Sequence, residues 1–327
     1  MRRVFFALAL GLLITGFAGM ALTNAADYPT KPITVIVPVS PGGSHDILSR
    51  IFGSVAEKYI GQPFVNTYKP GASTMVGSLE VAKAAPDGYT LLVAASTTPS
   101  VIAWELYNGR KPPFTLEDFS FIGAWTKSPT VVVVPYNSPY KTLADLVKGL
   151  KAKPGQLAYG SGGLYGSTHV PVILFLEATE TKARHVPFTG GGPTLNALVG
   201  GHIDFACQFP STCIPLARGN KLRILAVQSS KRLGVLPDTP TLKELGYKDA
   251  EFYMSLGLAA PAKTPKAVVD KLRSVFKKTM EDKTFIERVE KAGNEVEPIF
   301  GDDWYKFLKD EVSMYQRVYK QAGAEKK

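Results

Sequence analysis

The sequence predicts an α/β fold of two lobes, each a mainly parallel sheet flanked by helices, with a ligand cleft between the lobes. Three observations predict it. Short β-branched runs alternate with amphipathic helical stretches along most of the chain, which is the pattern of parallel strands covered by helices. The alternation falls into two blocks, each with its own glycine-rich loops. Two segments, 128–139 and 252–265, are rich in proline with β-branched residues or glycine and read as the two crossings of a hinge.

In the first block, 33–38 reads as a buried strand. Residues 46–60 read as a helix, because Ile47, Leu48, Ile51, Phe52, Val55 and Tyr59 share one face and Gly61 supplies the stop. A strand follows at 64–68, then a helix at 75–85 closed by the turn Pro86-Asp87-Gly88. Residues 90–95 form a strand ending at Ser96, Thr97 and Thr98; further strands are expected at 119–125 and 131–134. The second block repeats the rhythm. Helices are expected at 142–151, 168–178, 193–199 and 210–218, between strands at 157–159, 183–186, 203–206 and 222–227. The tail, 266–321, is helical and charged, with two apolar stripes for packing: Val268, Leu272, Val275 and Phe276, then Trp304, Phe307, Leu308 and Val312. Lobe one is therefore expected to hold 26–130 with 255–327, and lobe two 131–254, with crossings near 126–135 and 250–260.

The chain of 327 residues is 45% hydrophobic and 20% charged, which suits two globular domains and excludes a disordered protein. Its first 25 residues differ. Arg2 and Arg3 precede an apolar run at 4–22, and small residues Ala21, Thr23 and Ala25 follow. This is the pattern of a secretory signal peptide cut between Ala25 and Ala26; a retained anchor is the other reading. No cysteine sits at the exit of the run, so export to a periplasm without a lipid anchor is expected. The net charge of +10 attracts anions. Nucleic acid is excluded as a partner by export and by the scatter of the basic residues. Cys207 and Cys213 have no metal-ligand spacing with any histidine. An oxidising compartment permits a disulfide between them, and two small buried thiols are the other reading. No cofactor and no metal are expected, and the protein is expected to be a monomer.

Chemistry is expected in the loops. In the run Ser40 to Asp46 a strand ends, the chain turns through Pro41, Gly42 and Gly43, and a helix begins. Glycines admit close backbone approach, and a helix N-terminus offers unpaired N–H groups and the positive end of a dipole to a carboxylate or phosphate. A capped turn, with Ser44 as N-cap and Asp46 in the first turn, is the structural alternative. The run Tyr159 to Thr168 repeats the arrangement, with Gly162 and the hydroxyls of Ser161, Ser167 and Thr168. Two such turns facing across a cleft could hold one acid group between them. The turn Thr189 to Gly192 is either a third anion cradle or a flexible turn. No Gly-x-Ser-x-Gly elbow occurs, and His45, His169, His185 and His202 lie in separate elements, His169 being read as structural. Asp46 and Asp204 are a conceivable carboxylate pair, but Asp204 falls in a strand pattern. An exported hydrolase is the alternative reading, and the protein is expected not to be an enzyme.

An ordered set of segments carries a resemblance: Tyr28 to Pro38, Pro41-Gly42-Gly43, Lys69 to Ala72, Val81 to Leu92, Lys153 to Leu157, Ser167-Thr168-His169, Val186-Pro187-Phe188, Leu225-Ala226-Val227, Leu236 to Thr241 and Gly257 to Pro261. With these the chain, from about Tyr28 to Gly323, resembles the substrate-binding receptors of tripartite tricarboxylate transporters, the Bug or TctC-like family. The resemblance implies a two-lobed periplasmic-binding-protein fold of type II kind that closes on its ligand by a hinge. It also implies a small organic carboxylate as ligand (a di- or tricarboxylate, or an aromatic acid) and integral-membrane transporter subunits as partners. A sensory receptor for a signalling partner would share the pocket. On this resemblance the ligand meets Pro41, Gly42, Gly43 and Asp46, with Asp46 holding a water, and Ser96, Thr97, Ser161, Gly162, Ser167 and Thr168 finish the pocket. Three positions depart from the family pattern. Val39 replaces a phenylalanine. Tyr165 replaces a glycine and either stacks on the ligand or blocks it. Gln208 stands where an acid is frequent, which implies a ligand without an amino group.

Overall fold

The structure, a computed structural model, describes residues 28–321; the segment read as a signal peptide lies outside them. The chain runs β1 (Ile33–Val37), α1 (Ser44–Ile60), β2 (Phe64–Tyr68), α2 (Met75–Ala82), β3 (Thr90–Ala95), α3 (Thr97–Tyr107) and β4 (Phe119–Pro129). It continues β5 (Val131–Pro135), α4 (Leu143–Ala152), β6 (Ala158–Ser161), α5 (Val170–Ala178), β7 (Arg184–Pro187), α6 (Gly191–Val199), β8 (Phe205–Gln208), α7 (Pro210–Arg218) and β9 (Leu222–Val227). It ends with β10 (Tyr253–Pro261), α8 (Lys266–Met280), α9 (Lys283–Lys291), β11 (Ile299–Phe300) and α10 (Gly301–Gln321).

The strands form two sheets, ordered β11-β4-β10-β3-β1-β2 and β7-β6-β8-β5-β9. β1 lies parallel to β2 and β3, and β6 lies parallel to β7 and β8. The exceptions are the strands that follow a passage from one sheet to the other. β5 runs antiparallel between β8 and β9, and β10 runs antiparallel between β3 and β4. The short β11 also pairs antiparallel with β4. Only Thr130 separates β4 from β5, so one passage is almost a continuous strand.

Both faces of each sheet are covered, which is why the central strands read as near-continuous apolar runs. On one face of the first sheet Phe52 of α1 stacks on Trp125 of β4 at 5.4 Å and meets Phe276 of α8 and Phe285 of α9. On the other, Ile36, Leu92 and Phe121 pack with Val101 of α3 and Trp304 of α10. β5 shows the alternation in the second sheet. Val132 and Val134 join Leu146 and Phe175 of α4 and α5, while Val131 and Val133 join Leu198 and Cys213 of α6 and α7. Cys207 belongs to the first of these clusters and Cys213 to the second. Both thiols are free and buried, and burial pushes Cys213 up to about 12. The reading of two small buried thiols holds, and the disulfide does not.

Two elements differ from the sequence reading. Residues 97–98, expected at the end of a strand, open α3; Pro99 is its third residue, where a missing N–H costs nothing. Residues 253–261, expected as a Gly/Pro-rich crossing, are the central strand β10. Its Gly257 lies beside a register shift against β4, where an added Cβ would stand 2.0 Å from the Gly123 carbonyl oxygen and 2.4 Å from Ala124 Cα. The glycine marks a close approach of two strands. Its obstacles are backbone atoms, which cannot rotate away. Gly257→Ala is therefore expected to cost at least about 1–3 kcal/mol, the usual penalty of overpacking, read as a lower midpoint in urea with an unchanged slope.

Candidate ligand-binding site

The site forms where loops from the two sheets touch. After β1 the chain turns through Gly42, whose φ of +87° suits glycine. α1 then starts with Gly43 as its N-cap and no side-chain cap. After β7 the chain turns through Gly190, with φ of +155°, and α6 starts with no side-chain cap either. The first N–H groups of both helices thus lack an intrahelical partner, and the positive ends of two dipoles meet. At Gly192 the approach leaves no room for a side chain. A Cβ on Gly43 would sit 3.5 Å from Gly191 N, and one on Gly192 only 2.4 Å from Pro41 O. Hydrogen bonds pin the contact: Ser40 N–H donates to Thr189 O at 3.1 Å, the Ser40 and Thr189 hydroxyls pair at 2.8 Å, and those of Ser44 and Ser211 at 2.9 Å.

A cavity of about 30 Å³ lies behind this contact. Of the residues expected in the pocket, Gly43, Thr97, Gly162, Ser167, Thr168 and Gln208 line it. The structure brings them from both sheets to one point. The other six sit around it, and each is committed elsewhere. Pro41 and Gly42 form the back of the turn against Gly192. Ser96 is buried and donates no bond into the cleft; its hydroxyl accepts from Ser255 N–H at 3.0 Å. The Ser161 hydroxyl pairs with His185 Nε2 at 2.7 Å and with the Gly163 carbonyl at 2.9 Å.

Asp46 serves the turn itself. Its carboxylate accepts from Gly42 N–H at 2.9 Å, Arg50 Nε at 2.5 Å and the Tyr68 hydroxyl at 2.7 Å. Burial works against the charged form, but the Gly42 amide, Tyr68 and Arg50 outweigh it and hold the carboxyl below its ordinary value. Tyr165 points out of the cavity. It stacks on Trp104 of α3 at 4.2 Å and lies 4.9 Å from the Tyr319 ring of α10. Its carbonyl accepts from the Ser100 and Tyr319 hydroxyls. The Leu164 carbonyl accepts from Ser73 at 2.7 Å. Loop 162–168 of the second sheet is thus latched onto the first. His169 holds this loop from within, through Tyr159 at 2.9 Å and the Tyr165 amide at 2.7 Å, as a structural histidine.

The cavity also takes Ser44 and His45 of the run Ser40 to Asp46, the Gly190–Gly191 turn that reads as a third anion cradle or a flexible turn, and two residues that sequence reasoning missed, Ser73 and Thr74. The glycines were visible as a turn without a partner. The nearest neighbour of the Gly42–Gly43 turn is this one, rather than the run Tyr159 to Thr168. His45 was read only as one scattered histidine. Burial lowers it to about 4, so its imidazole is neutral at neutral pH. Nothing in the sequence places Thr74 there; its position follows from a run of left-handed residues at 72–74.

Two helix-flanked sheets of this order, meeting at a polar cavity, define a periplasmic-binding-protein fold. The chain belongs to the tripartite tricarboxylate transporter family of receptors. The TctC family model, a tripartite tricarboxylate transporter family receptor, matches residues 48–324. BugT of Bordetella pertussis is 30% identical over 311 residues, covering 95% of each chain. Rpa4515 of R. palustris, solved with adipate, superposes with a TM-score of 0.84 at 26% identity, covering 91% of this chain and 99% of its own. MatC of Rhodopseudomonas palustris, solved with malate, superposes with a TM-score of 0.81 at 25% identity, covering 89% and 99%.

The lowered pKa of Asp46 has a defined consequence for stability. Its contribution is complete above the ordinary carboxylate value of 3.8 and is lost as pH falls through the lower folded value. Asp46→Asn should lower the melting temperature at pH 7, by an amount corresponding to about 1–3 kcal/mol for lost bonds to a charged acceptor. The gap between variant and wild type should shrink in acid. Paired thermal melts from pH 7 down to pH 3 measure it.

Proposed function

We propose that this chain is a periplasmic receptor that closes two lobes on a small organic carboxylate and presents it to the membrane subunits of a tripartite tricarboxylate-type transporter. The observation that carries the reading is the meeting of two uncapped helix N-termini, α1 and α6, from opposite sheets, close enough that no Cβ fits on Gly192. An anionic group between them would receive N–H donors and dipole attraction from both sides. The adipate and malate in the two solved relatives support an acid.

In this reading 28–130 with 255–321 form one lobe and 131–254 the other, and the chain bends where β4 meets β5 and where it re-enters at β10. The leader 1–25 is removed on export, as the Arg2-Arg3 start and the Ala25 exit suggest. The protein acts as a monomer and carries out no bond chemistry. A cavity of about 30 Å³ has room for a water or two and for no organic acid, so a ligand enters an opened form and the lobes then close. Gly43, Gly162, Ser167, Thr168, Thr97 and Gln208 contact it. Pro41, Gly42, Asp46, Ser96, Ser161 and Tyr165 act by holding those residues in place. Gln208 offers an amide and no negative charge, so a ligand without an amino group is favoured.

Two measurements test this. A thermal-shift panel of carboxylates should contain an acid that stabilises the protein by about 2.7 kcal/mol at 100 times its dissociation constant; no shift with any acid would overturn the reading. Tyr165→Gly should weaken binding of that acid about 2- to 10-fold, because an aromatic pair is worth about 0.5–1.5 kcal/mol, and small-angle scattering should show a larger radius of gyration.

A further inference from the structure

Among the described residues, three buried polar atoms without a hydrogen-bond partner belong to side chains lining the same cavity: His45 Nε2, Thr74 Oγ1 and Gln208 Nε2. The side chains are at least nine-tenths buried, with 6%, 3% and 1% exposure. They come from three separate places: the first turn of α1, the turn before α2 and the end of β8. A buried polar atom left unpaired destabilises the fold, and here the three side chains that carry such atoms all line one cavity.

Thr74 adds a second cost at the same place. Ala72, Ser73 and Thr74 are successive left-handed residues with φ of +45°, +53° and +85°. A β-branched residue at such a φ is an outlier, and outliers of this kind cluster at ligand clamps. The strain brings the Thr74 hydroxyl to the cavity wall.

The three groups share an electrical character. Gln208 and Thr74 carry no charge, and burial keeps the His45 imidazole neutral at neutral pH. Among the described residues, no lysine, arginine, aspartate or glutamate lines the cavity. A second carboxylate here would be desolvated without a cation. A methylene would leave all three atoms unpaired. A hydroxyl can donate and accept at once, and so suits either tautomer of His45; a carbonyl accepts from the Gln208 amide and the Thr74 hydroxyl.

We propose that His45, Thr74 and Gln208 form an uncharged polar subsite that reads a hydroxyl or carbonyl oxygen on the ligand, so that the receptor prefers hydroxy- and oxo-carboxylates to the unsubstituted acids. The subsite deepens the carboxylate reading given above and rests on it.

Calorimetry on the purified protein with matched acids tests it: malate against succinate, 2-oxoglutarate against glutarate, and mandelate against phenylacetate. In at least one pair the oxygen-bearing member should bind roughly 10- to 100-fold tighter, the worth of pairing one or two buried groups. Thr74→Gly, which suits the left-handed backbone, should cut that ratio by roughly 5- to 10-fold, and Thr74→Ser should restore it. Equal affinity within every pair that binds would overturn the subsite and leave the receptor reading standing. Equal losses for both members in Thr74→Gly would reduce Thr74 to a structural role and overturn it too. If none of the six acids binds, the preference for hydroxy- and oxo-carboxylates is overturned, while the wider acid panel decides the carboxylate reading.

Discussion

The structure depends on the approach of two backbones. The turn after β1 and the turn after β7 touch across the gap between sheets, and no Cβ fits on Gly192 against the Pro41 carbonyl. Side chains there would hold the sheets apart and put the two helix N-termini out of reach of a common group. Close contact also strengthens the electrostatics. Donors facing a small, buried space act in a low dielectric, where each is worth more than in water. Asp46, Arg50 and Tyr68 serve this contact from behind, by fixing the turn that carries Gly42 and Gly43.

The topology explains why such a contact can form. β5 and β10 each follow a passage between the sheets, and each runs against the strands beside it. Every other strand in the central part of each sheet therefore points its C-terminal end, and the loop after it, toward the opposite sheet. Ligand sites in open α/β sheets lie beyond those ends. Here the ends of β1, β3, β6 and β8 supply the walls: Gly43, Thr97, Gly162 and Gln208 each come shortly after one of them or close it.

Much of this was legible in the sequence because it obeys local rules. Strands buried on both faces wrote themselves as β-branched runs, and α1 showed its apolar face and its Gly61 stop. β10 was not legible. Its Gly257 and Pro261 answer to the neighbouring strand β4, and a contact distant in sequence leaves no local pattern. α3 was hidden because Thr97-Thr98-Pro99 looks like a turn and is a permitted first turn. In the site, the glycine turns were readable as turns, but their pairing was not. The run Tyr159 to Thr168 resembled the first turn more closely than Thr189 to Gly192 did, yet the latter makes the contact. Thr74 was out of reach, because its place depends on a backbone conformation that its residue type disfavours.

The stacking of Tyr165 on Trp104 bears on how the molecule behaves when empty. If the lobes open and shut as proposed, a ring pair joining the two halves would favour the shut arrangement whether or not a solute is inside. Any solute would then find its enclosing geometry already populated, and its apparent affinity would be less reduced by the fraction of molecules that are open. The same contact creates a competitor: shut but vacant receptors would resemble loaded ones to a membrane subunit that reads only outer shape. Fidelity of delivery would then rest on how strongly the solute itself shifts that balance, over and above what two aromatic rings already supply.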